Sequence, residues 1–504
     1  MDKQSPLLFV HRTYKQPKMF FEKIKIAFYC CLLALFIVSC SKEDNIVTQN
    51  LTDETESQEA NRGNQSQGNN DNRPNNENDE NERQVNRIDS EIMVEWTNLF
   101  LELERYAGGM RPNASARAIA YINLAAYETV VPGMPAFFSN SGRLPDLNIR
   151  RNAPRNINWE AALNACYADV LAHFLLNVPN NLARRINQLE NNLEREIGNR
   201  QDVRASRDWG AYIANVIIEY SQTDSEAEQQ VLEPQPLSYE PPVGDGYWTY
   251  SAEPERALFP YWEKVRTFTV TPDETSTIPP LSYSTDPGSP YYQEMMEVYE
   301  SNNQAREEDG EALWIAEFWS DDVETLMFSP PARQVSIASQ LIVDHDLNLA
   351  RAVHLMLKLG FSLNDAAVST WKYKYEYMVM RPSVYIQEFI DPSYQTNLFR
   401  LIPWPNPTFP GYPSGHSCFA SAAAGVFIDF FGNNINFTDR SHEGRTEFRG
   451  NPRTFTSFNQ LAAENGYSRI PLGVHIRIDC TEGLRLGYEI ADFVNNYDLR
   501  RPDL

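Results

Sequence analysis

Residues Ile88–Leu103 read IDSEIMVEWTNLFLEL, and in them Ile92, Trp96, Leu99, Phe100 and Leu103 return at the spacing of one helix face. The same texture recurs down the chain. After a break at Pro112 it is carried by Ile119, Ile122, Leu124, Ala125 and Tyr127. Helical patterns are expected over 158–175, 180–199, 203–221, 291–304, 311–321, 333–343, 346–359, 363–378, 415–431, 456–465 and 471–495. Alternating strand patterns are scarce and no short repeat is evident. Residues 224–290 lack a period and are rich in Pro, Tyr and Trp, so they are expected to form a long ordered loop packed on the surface by aromatics such as Trp248 and Trp262. The fold class that follows is all-α, helical bundles in one domain over 88–504.

The residues before 88 have a different character. Lys23 and Lys25 precede an apolar run, Ile26 to Val38, of signal-peptide length and too short to span a bilayer comfortably. It ends in Ile37-Val38-Ser39-Cys40, which resembles the lipobox of bacterial lipoproteins, where the cysteine is lipidated. Residues 1–40 are thus expected to be a lipoprotein signal, with a natural start at Met19. The next four residues, Ser41-Lys42-Glu43-Asp44, resemble a surface-export signal. Residues 41–87 are crowded with Asn, Gln, Glu and Asp, and read as an acidic, disordered tether. The location this implies is the cell envelope, as an outer-membrane lipoprotein anchored through Cys40, with the body exposed at the surface as one option.

The formal net charge of −24 argues against nucleic acid as a partner and against docking on anionic lipid by charge. Of six cysteines, Cys166, Cys418 and Cys480 lie in the body, widely spaced and odd in number. They suit buried apolar positions better than a disulfide framework or a zinc site.

Three motifs carry chemistry. In Lys374-Tyr-Glu-Tyr-Met-Val-Met-Arg381-Pro382, two cations seven apart fall on nearly one helical face, with Pro382 ending the helix. Two fixed cations beside a cavity suit an oxyanion. In Pro413-Ser414-Gly415-His416, a rigid turn leads into a helix whose N-terminal N–H groups favour an anion. Ser414 adds a hydroxyl, Gly415 a close backbone approach, and His416 a group for proton transfer. In Ser468-Arg469-Ile-Pro-Leu-Gly-Val-His475-Ile-Arg-Ile-Asp479, the histidine and aspartate are four apart on an expected helix face. The carboxylate can hold Nδ1–H and leave Nε2 as nucleophile or ligand. Each motif alone also fits a solvated or capping role.

Together and in this order, the motifs resemble the signature shared by vanadium-dependent haloperoxidases and type 2 phosphatidic acid phosphatases. A looser likeness extends to Arg117–Tyr121 and Phe318–Asp322, and the motif core spans 371–495. The resemblance implies that Lys374, Arg381, Ser414, Gly415 and Arg469 bind the oxygens of vanadate or phosphate. It makes His475 the vanadium ligand or the phosphorylated nucleophile, His416 the acid–base and Asp479 the residue orienting His475. Asp321 or Asp322 is the expected counter-charge of Arg469. Trp371 and Phe409 resemble the aromatics that flank vanadate in fungal chloroperoxidases, and are candidates for a halide site.

Two enzymatic readings and one non-enzymatic reading follow. The first is a vanadate-dependent haloperoxidase, oxidising halide with hydrogen peroxide to a hypohalous species, with phosphate competing for the cofactor site. The second is an acid phosphatase, with no cofactor, acting on phosphomonoesters through a phosphohistidine. The third is a surface lipoprotein that only binds. The body has no stretch of about 20 apolar residues, which disfavours an integral-membrane lipid phosphatase. His345 and His354 in helices and His442 in a polar loop read as structural or solvated, and Glu128 as a partner in an ion pair.

Overall fold

The computed structural model describes residues 85–198, 201–251, 255–402 and 406–501. The expected signal, Cys40, the surface-export signal and nearly all of the expected tether fall outside them. Among the described residues the chain is helical, with fourteen α-helices and one small hairpin. No described helix is long and apolar enough to cross a membrane.

The opening stretch becomes α1 (Glu91–Glu104), and Ile92, Trp96, Leu99, Phe100 and Leu103 are all buried in the core. Trp96 Nε1 donates to Asn164 Oδ1 at 3.1 Å, so its one polar atom is satisfied inside. The first bundle adds α2 (Asn113–Val130), α3 (Trp159–Phe174), α4 (Asn180–Ile197) and α5 (Gln201–Gln222). After α6 (Ser225–Leu232) come α7 (Pro290–Glu308), α8 (Glu311–Phe318) and α9 (Pro330–Asp344). Helices α7 and α9 each begin with a capping serine followed by proline, Ser289 and Ser329, the residue pair that favours a helix start.

Helix α10 (Leu349–Tyr377) is one continuous element where two were expected, over 346–359 and 363–378. Gly360 at the supposed break is there for packing: a Cβ on it would stand 2.9 Å from Ala120 Cα of α2. The axis of α10 thus joins the first bundle to the second. The second bundle contains α12 (Gly415–Phe431), α13 (Phe458–Leu472) and α14 (Arg477–Asn496), after the short α11 (Pro382–Phe389). Gly483 and Gly487 of α14 let it press on α12, since a Cβ at either would meet the Ser414 or Cys418 carbonyl at 2.4 and 2.3 Å. Between α12 and α13, β1 (Asn434–Asp439) pairs antiparallel with β2 (Arg453–Ser457).

The segment 224–290 is not the surface-packed loop its composition suggests. It contains α6 and a 3₁₀ turn, and Trp248 and Trp262 are fully buried. Its polar backbone is tied to α10: Asp365 accepts from the N–H groups of Phe268, Thr269 and Val270 at 2.8–3.2 Å. It also clasps the strap that follows α10, through Trp248 N–H to Met378 O and Met380 N–H to Gly246 O. Burial of its aromatics, together with these backbone bonds to α10 and the strap, explains how so long a loop can be ordered.

The incidental expectations divide. Cys166, Cys418 and Cys480 are free and buried. Glu128 is buried without the expected ion pair among the described residues; Ser139 Oγ and the backbone and side-chain N–H groups of Asn140 donate to it at 2.5–2.9 Å. Burial raises its pKa. His354 is buried between Phe137 and Phe430, and its pKa is pushed down to about 3 by desolvation. His345 is exposed, tilted against Phe431. Of the structural and solvated readings, His442 takes the structural one: it is buried among Phe318, Phe328 and Phe448.

Candidate active site

The three motifs converge at one end of a cavity of about 390 Å³, between the C-terminus of α10 and the N-termini of α12 and α14. Two of the local geometries differ from the sequence reading. Lys374 and Arg381 do not share a helix. Helix α10 stops at Tyr377, Met378 takes a left-handed turn (φ 52°), and Arg381 sits on the extended strap before α11, where Pro382 starts a helix instead of ending one. Nor is His475 on a helix with Asp479. Helix α13 runs to Leu472, with Pro471 in its last turn, and Gly473 at φ 92° ends it. His475 lies in the short link, and Asp479 in the first turn of α14, where its carboxylate also accepts from Ile476 N–H at 3.4 Å.

The hydrogen bonds fix the state of both histidines. Arg381 Nη1 lies 3.0 Å from His475 Nε2. A guanidinium can only donate, so Nε2 is the acceptor and the proton is on Nδ1, donated to Asp479 Oδ2 at 3.0 Å. Burial, reinforced by Arg381, Lys374 and Arg469, holds the His475 pKa well below the usual value. The result is a neutral imidazole with a lone pair on the cation side. Burial raises the Asp479 pKa, against the pull of Lys374 and Arg381. His416 Nε2 donates to Ser320 O at 3.0 Å, because a carbonyl can only accept. Desolvation and then Arg469 bring His416 down to about 4, so it is neutral at pH 7 and free to take a proton.

The cations are buried, and backbone carbonyls are their main partners. Lys374 Nζ donates to the carbonyls of Pro410, Gly411 and Pro413 at 2.6–3.0 Å, which uses all three of its protons. Its pKa is lowered by burial and Arg381. Arg381 donates Nε to Phe409 O and Nη1 to Val474 O, both at 3.0 Å, and Nη2 is buried without a partner. Burial brings Arg381 down to about 10. Arg469 donates Nη1 to the Trp319 and Ser320 carbonyls and Nη2 to Asp322 Oδ2 at 2.6 Å, while Nε is buried and unpartnered. Asp322, not Asp321, is therefore the counter-charge of Arg469. Asp321, at φ 46°, turns back to Arg333.

Ser414 caps α12 by accepting from Ser417 N–H at 3.3 Å, and its own N–H donates to the Asp479 carbonyl at 2.9 Å. That bond locks the anion-binding turn to the helix carrying Asp479. Trp371 and Phe409 form one wall, ring centroids 4.8 Å apart, with Lys374 5.1 Å and Arg381 5.0 Å from the Phe409 ring. Trp371 is fixed by donating Nε1 to Leu258 O of the long loop at 3.1 Å.

Sequence reasoning missed two contributors. The carbonyl of Ser320 serves both His416 and Arg469, and a backbone group leaves no trace in a sequence. Arg111 lines the cavity from the turn before α2, and no motif marked it.

The donor set fits a tetrahedral or trigonal-bipyramidal oxyanion. Three buried cations face two carboxylates, and Arg381 Nη2 and Arg469 Nε lack acceptors that burial makes costly to omit. Among the described residues no cluster of His, Cys, Asp and Glu is arranged to hold a bare metal ion. The group that suits the site brings its own negative oxygens.

Comparison with known proteins agrees with the geometry. The family model of the VCPO second helical-bundle domain matches residues 354–501. Over 213 residues the chain is 24% identical to vanadium chloroperoxidase of Curvularia inaequalis, covering 32% of this chain and 35% of that protein. The matched stretch thus spans about a third of that relative's length. A solved structure titled the first bacterial vanadium-dependent iodoperoxidase superposes with a TM-score of 0.72 at 26% identity, covering 82% of this chain and 98% of that one. The holo form of a bacterial vanadium-dependent chloroperoxidase shares the fold, with a TM-score of 0.59 at 14% identity over 77% and 92% of the two chains. The chain is thus similar to vanadium-dependent haloperoxidases in the sequence of its second helical bundle and, over most of its length, in fold.

Proposed function

We propose that this protein is a vanadate-dependent haloperoxidase that oxidises a halide with hydrogen peroxide. The observation that supports the reading is the neutral Nε2 of His475 held 3.0 Å from Arg381, with one nitrogen each of Arg381 and Arg469 buried and unpartnered, where His475, His416 and Arg469 line a cavity. His475 Nε2 would hold vanadium, with Asp479 keeping the proton on Nδ1. Arg381, Arg469, Ser414 and the Gly415 N–H would hold the oxygens. Lys374 has no proton to spare, so its part is a positive charge and a fixed 410–413 turn. The chemistry supplied by bound vanadate is Lewis-acid activation of hydrogen peroxide, with no change of metal oxidation state.

The protein's own residues do the rest. His416, neutral at pH 7, takes and returns a proton, and the negative charge beside it favours its protonated form. Trp371 and Phe409 exclude water from one side and so desolvate a halide. The cradle fits a phosphoryl-transfer transition state equally well, and a phosphatase using His475 as nucleophile is the competing reading. Attachment to a membrane through Cys40 is likewise proposed, from the sequence between Lys23 and Cys40.

One assay separates the enzymes. Full-length protein freed of phosphate and loaded with orthovanadate is given bromide, hydrogen peroxide and a diketone dye at mildly acidic pH. Vanadate-dependent bromination that phosphate blocks is expected. No halogenation, together with aryl-phosphate hydrolysis by the vanadate-free protein, would favour the phosphatase.

A further inference from the structure

Helix α13 ends inside the site. Arg469 lies in its last turn, and His475 lies in the link just beyond its last residue, Leu472. A helix leaves its final carbonyls without intrahelical donors. Pro471 weakens this end further, because it has no N–H to tie its turn to the one before. Gly473 and Val474 donate back to the Arg469 and Ile470 carbonyls at 2.9–3.2 Å and close the turn. The carbonyls of Pro471 and Leu472, both buried residues, must be met from elsewhere.

Two asparagines from distant parts of the chain meet them. Asn302 of α7 donates Nδ2 to Pro471 O at 3.1 Å. Asn397, just before the 3₁₀ turn Leu398–Arg400, donates Nδ2 to Pro471 O at 2.8 Å and to Asn302 O at 3.0 Å. Its backbone N–H donates to Leu472 O at 2.9 Å. Both asparagines are fully buried. Arg306, one turn along α7 from Asn302, sets their amides: Nε donates to Asn397 Oδ1 at 3.0 Å and Nη2 to Asn302 Oδ1 at 3.3 Å. A guanidinium can only donate, so both amide oxygens face it and both NH₂ groups face the end of α13. Gly473 seats against this clamp, since a Cβ on it would stand 2.8 Å from Asn302 Nδ2.

The far side of the link is held by the site itself. Arg381 Nη1 bonds Val474 O and His475 Nε2, both at 3.0 Å, and Asp479 Oδ2 accepts from His475 Nδ1 at 3.0 Å. His475 is thus fixed between the cradle's own groups and a clamp that stands behind it. Asn302, Asn397 and Arg306 do not line the cavity.

We propose that Asn302 and Asn397, set by Arg306, are positioning residues for His475 and Arg469. By taking the last carbonyls of α13 they hold the helix end where His475 Nε2 and the Arg469 guanidinium meet one anion. A displacement of about 1 Å is enough to spoil such a constellation. The proposal deepens the reading of the site as an oxyanion cradle and rests on it. It is the same whether the anion serves halide oxidation or phosphoryl transfer.

The test uses full-length protein freed of phosphate, with histidine labelled by ¹⁵N. Asn397→Asp keeps an oxygen for Arg306 but turns a second oxygen on Pro471 O; Asn302→Leu removes the other donor at similar size. In both, the dissociation constants of orthovanadate and of phosphate should rise about tenfold or more. The ring ¹⁵N resonances of His475, one nitrogen bare and one protonated in the unaltered protein, should move toward an average of the two tautomers. Glu128→Ala, in α2 of the first bundle, should lower the denaturant midpoint yet leave both affinities within about twofold. Unchanged affinities in the clamp variants, a loss of affinity with the His475 resonances unmoved, or an equal loss in Glu128→Ala would overturn the proposal. If one clamp variant does not fold, the other decides, together with Arg306→Gln, which should give a smaller change of the same kind. If the unaltered protein binds neither anion, the cradle reading fails, and the positioning of His475 is judged on its resonances alone: unmoved in the clamp variants, they overturn it.

Discussion

Arg333 and Arg381 are both fully buried, and the chain treats them in opposite ways. Arg333 lies behind the site and is neutralised. Nε and Nη2 donate to Asp439 Oδ2 at 3.1 and 2.9 Å, and Nη1 reaches Asp321 Oδ1 at 3.3 Å and the ring of His442. Arg381 bonds two carbonyls and a neutral histidine and has one nitrogen left over. A buried arginine that serves the fold is surrounded by carboxylates, as desolvation demands. One that serves a ligand is left short of them. Under the proposed function, the unpartnered nitrogens of Arg381 and Arg469 are where the oxygens of a bound anion would find donors.

Variants can break this contrast. The largest expected effect is on chemistry: His475→Ala should lower vanadate-dependent halogenation by about 10³-fold or more, read from initial rates at saturating vanadate. A fully active alanine variant would remove the site from the account. Next is Arg333→Leu, which strands Asp321 and Asp439 and should cost about 3–5 kcal/mol in denaturant unfolding. A loss below about 1 kcal/mol would mean that this cluster is not the balanced network described. Arg381→Gln should cost less than Arg333→Leu in phosphate-free buffer, since it also relieves repulsion by Lys374 and Arg469. It should, however, lose most of the stabilisation that phosphate gives the unaltered protein. At a hundred times its dissociation constant, that stabilisation is about 2.7 kcal/mol, and a melting series with phosphate would show it.

The smallest effect is on protons. His416 stands at about 4 without an anion, against an ordinary value near 6.5. A bound anion raises it, so phosphate binding between those values should draw in a fraction of a proton, roughly 0.3–1, and tighten as pH falls. Calorimetry at pH 5.5 in buffers of different ionisation enthalpy would measure the uptake, which His416→Gln should abolish.

The contrast also explains what could be read in advance. Helix faces were legible because burial imposes a period, as in Ile92, Trp96 and Leu103. The cradle residues were legible because their chemistry needs particular side chains in a particular order. Their backbone settings were not. Lys374 and Arg381 at a seven-residue spacing look like one helix face, and only the left-handed Met378 shows that the helix has ended. Pro471 looks like the start of a helix, yet the turn at Gly473 places the break two residues later. The role of 224–290 was hidden for a related reason. Its order comes from backbone groups meeting Asp365 and the 378–380 strap, and such contacts leave no period.

The central claim is that the cradle binds one oxyanion. Equilibrium binding of orthovanadate to the full-length protein, followed by vanadium NMR in competition with phosphate, tests it most directly. The account predicts one vanadate per chain, displaced by phosphate and greatly weakened in Arg381→Gln. Failure to bind vanadate, or binding that phosphate and Arg381→Gln leave untouched, would contradict it.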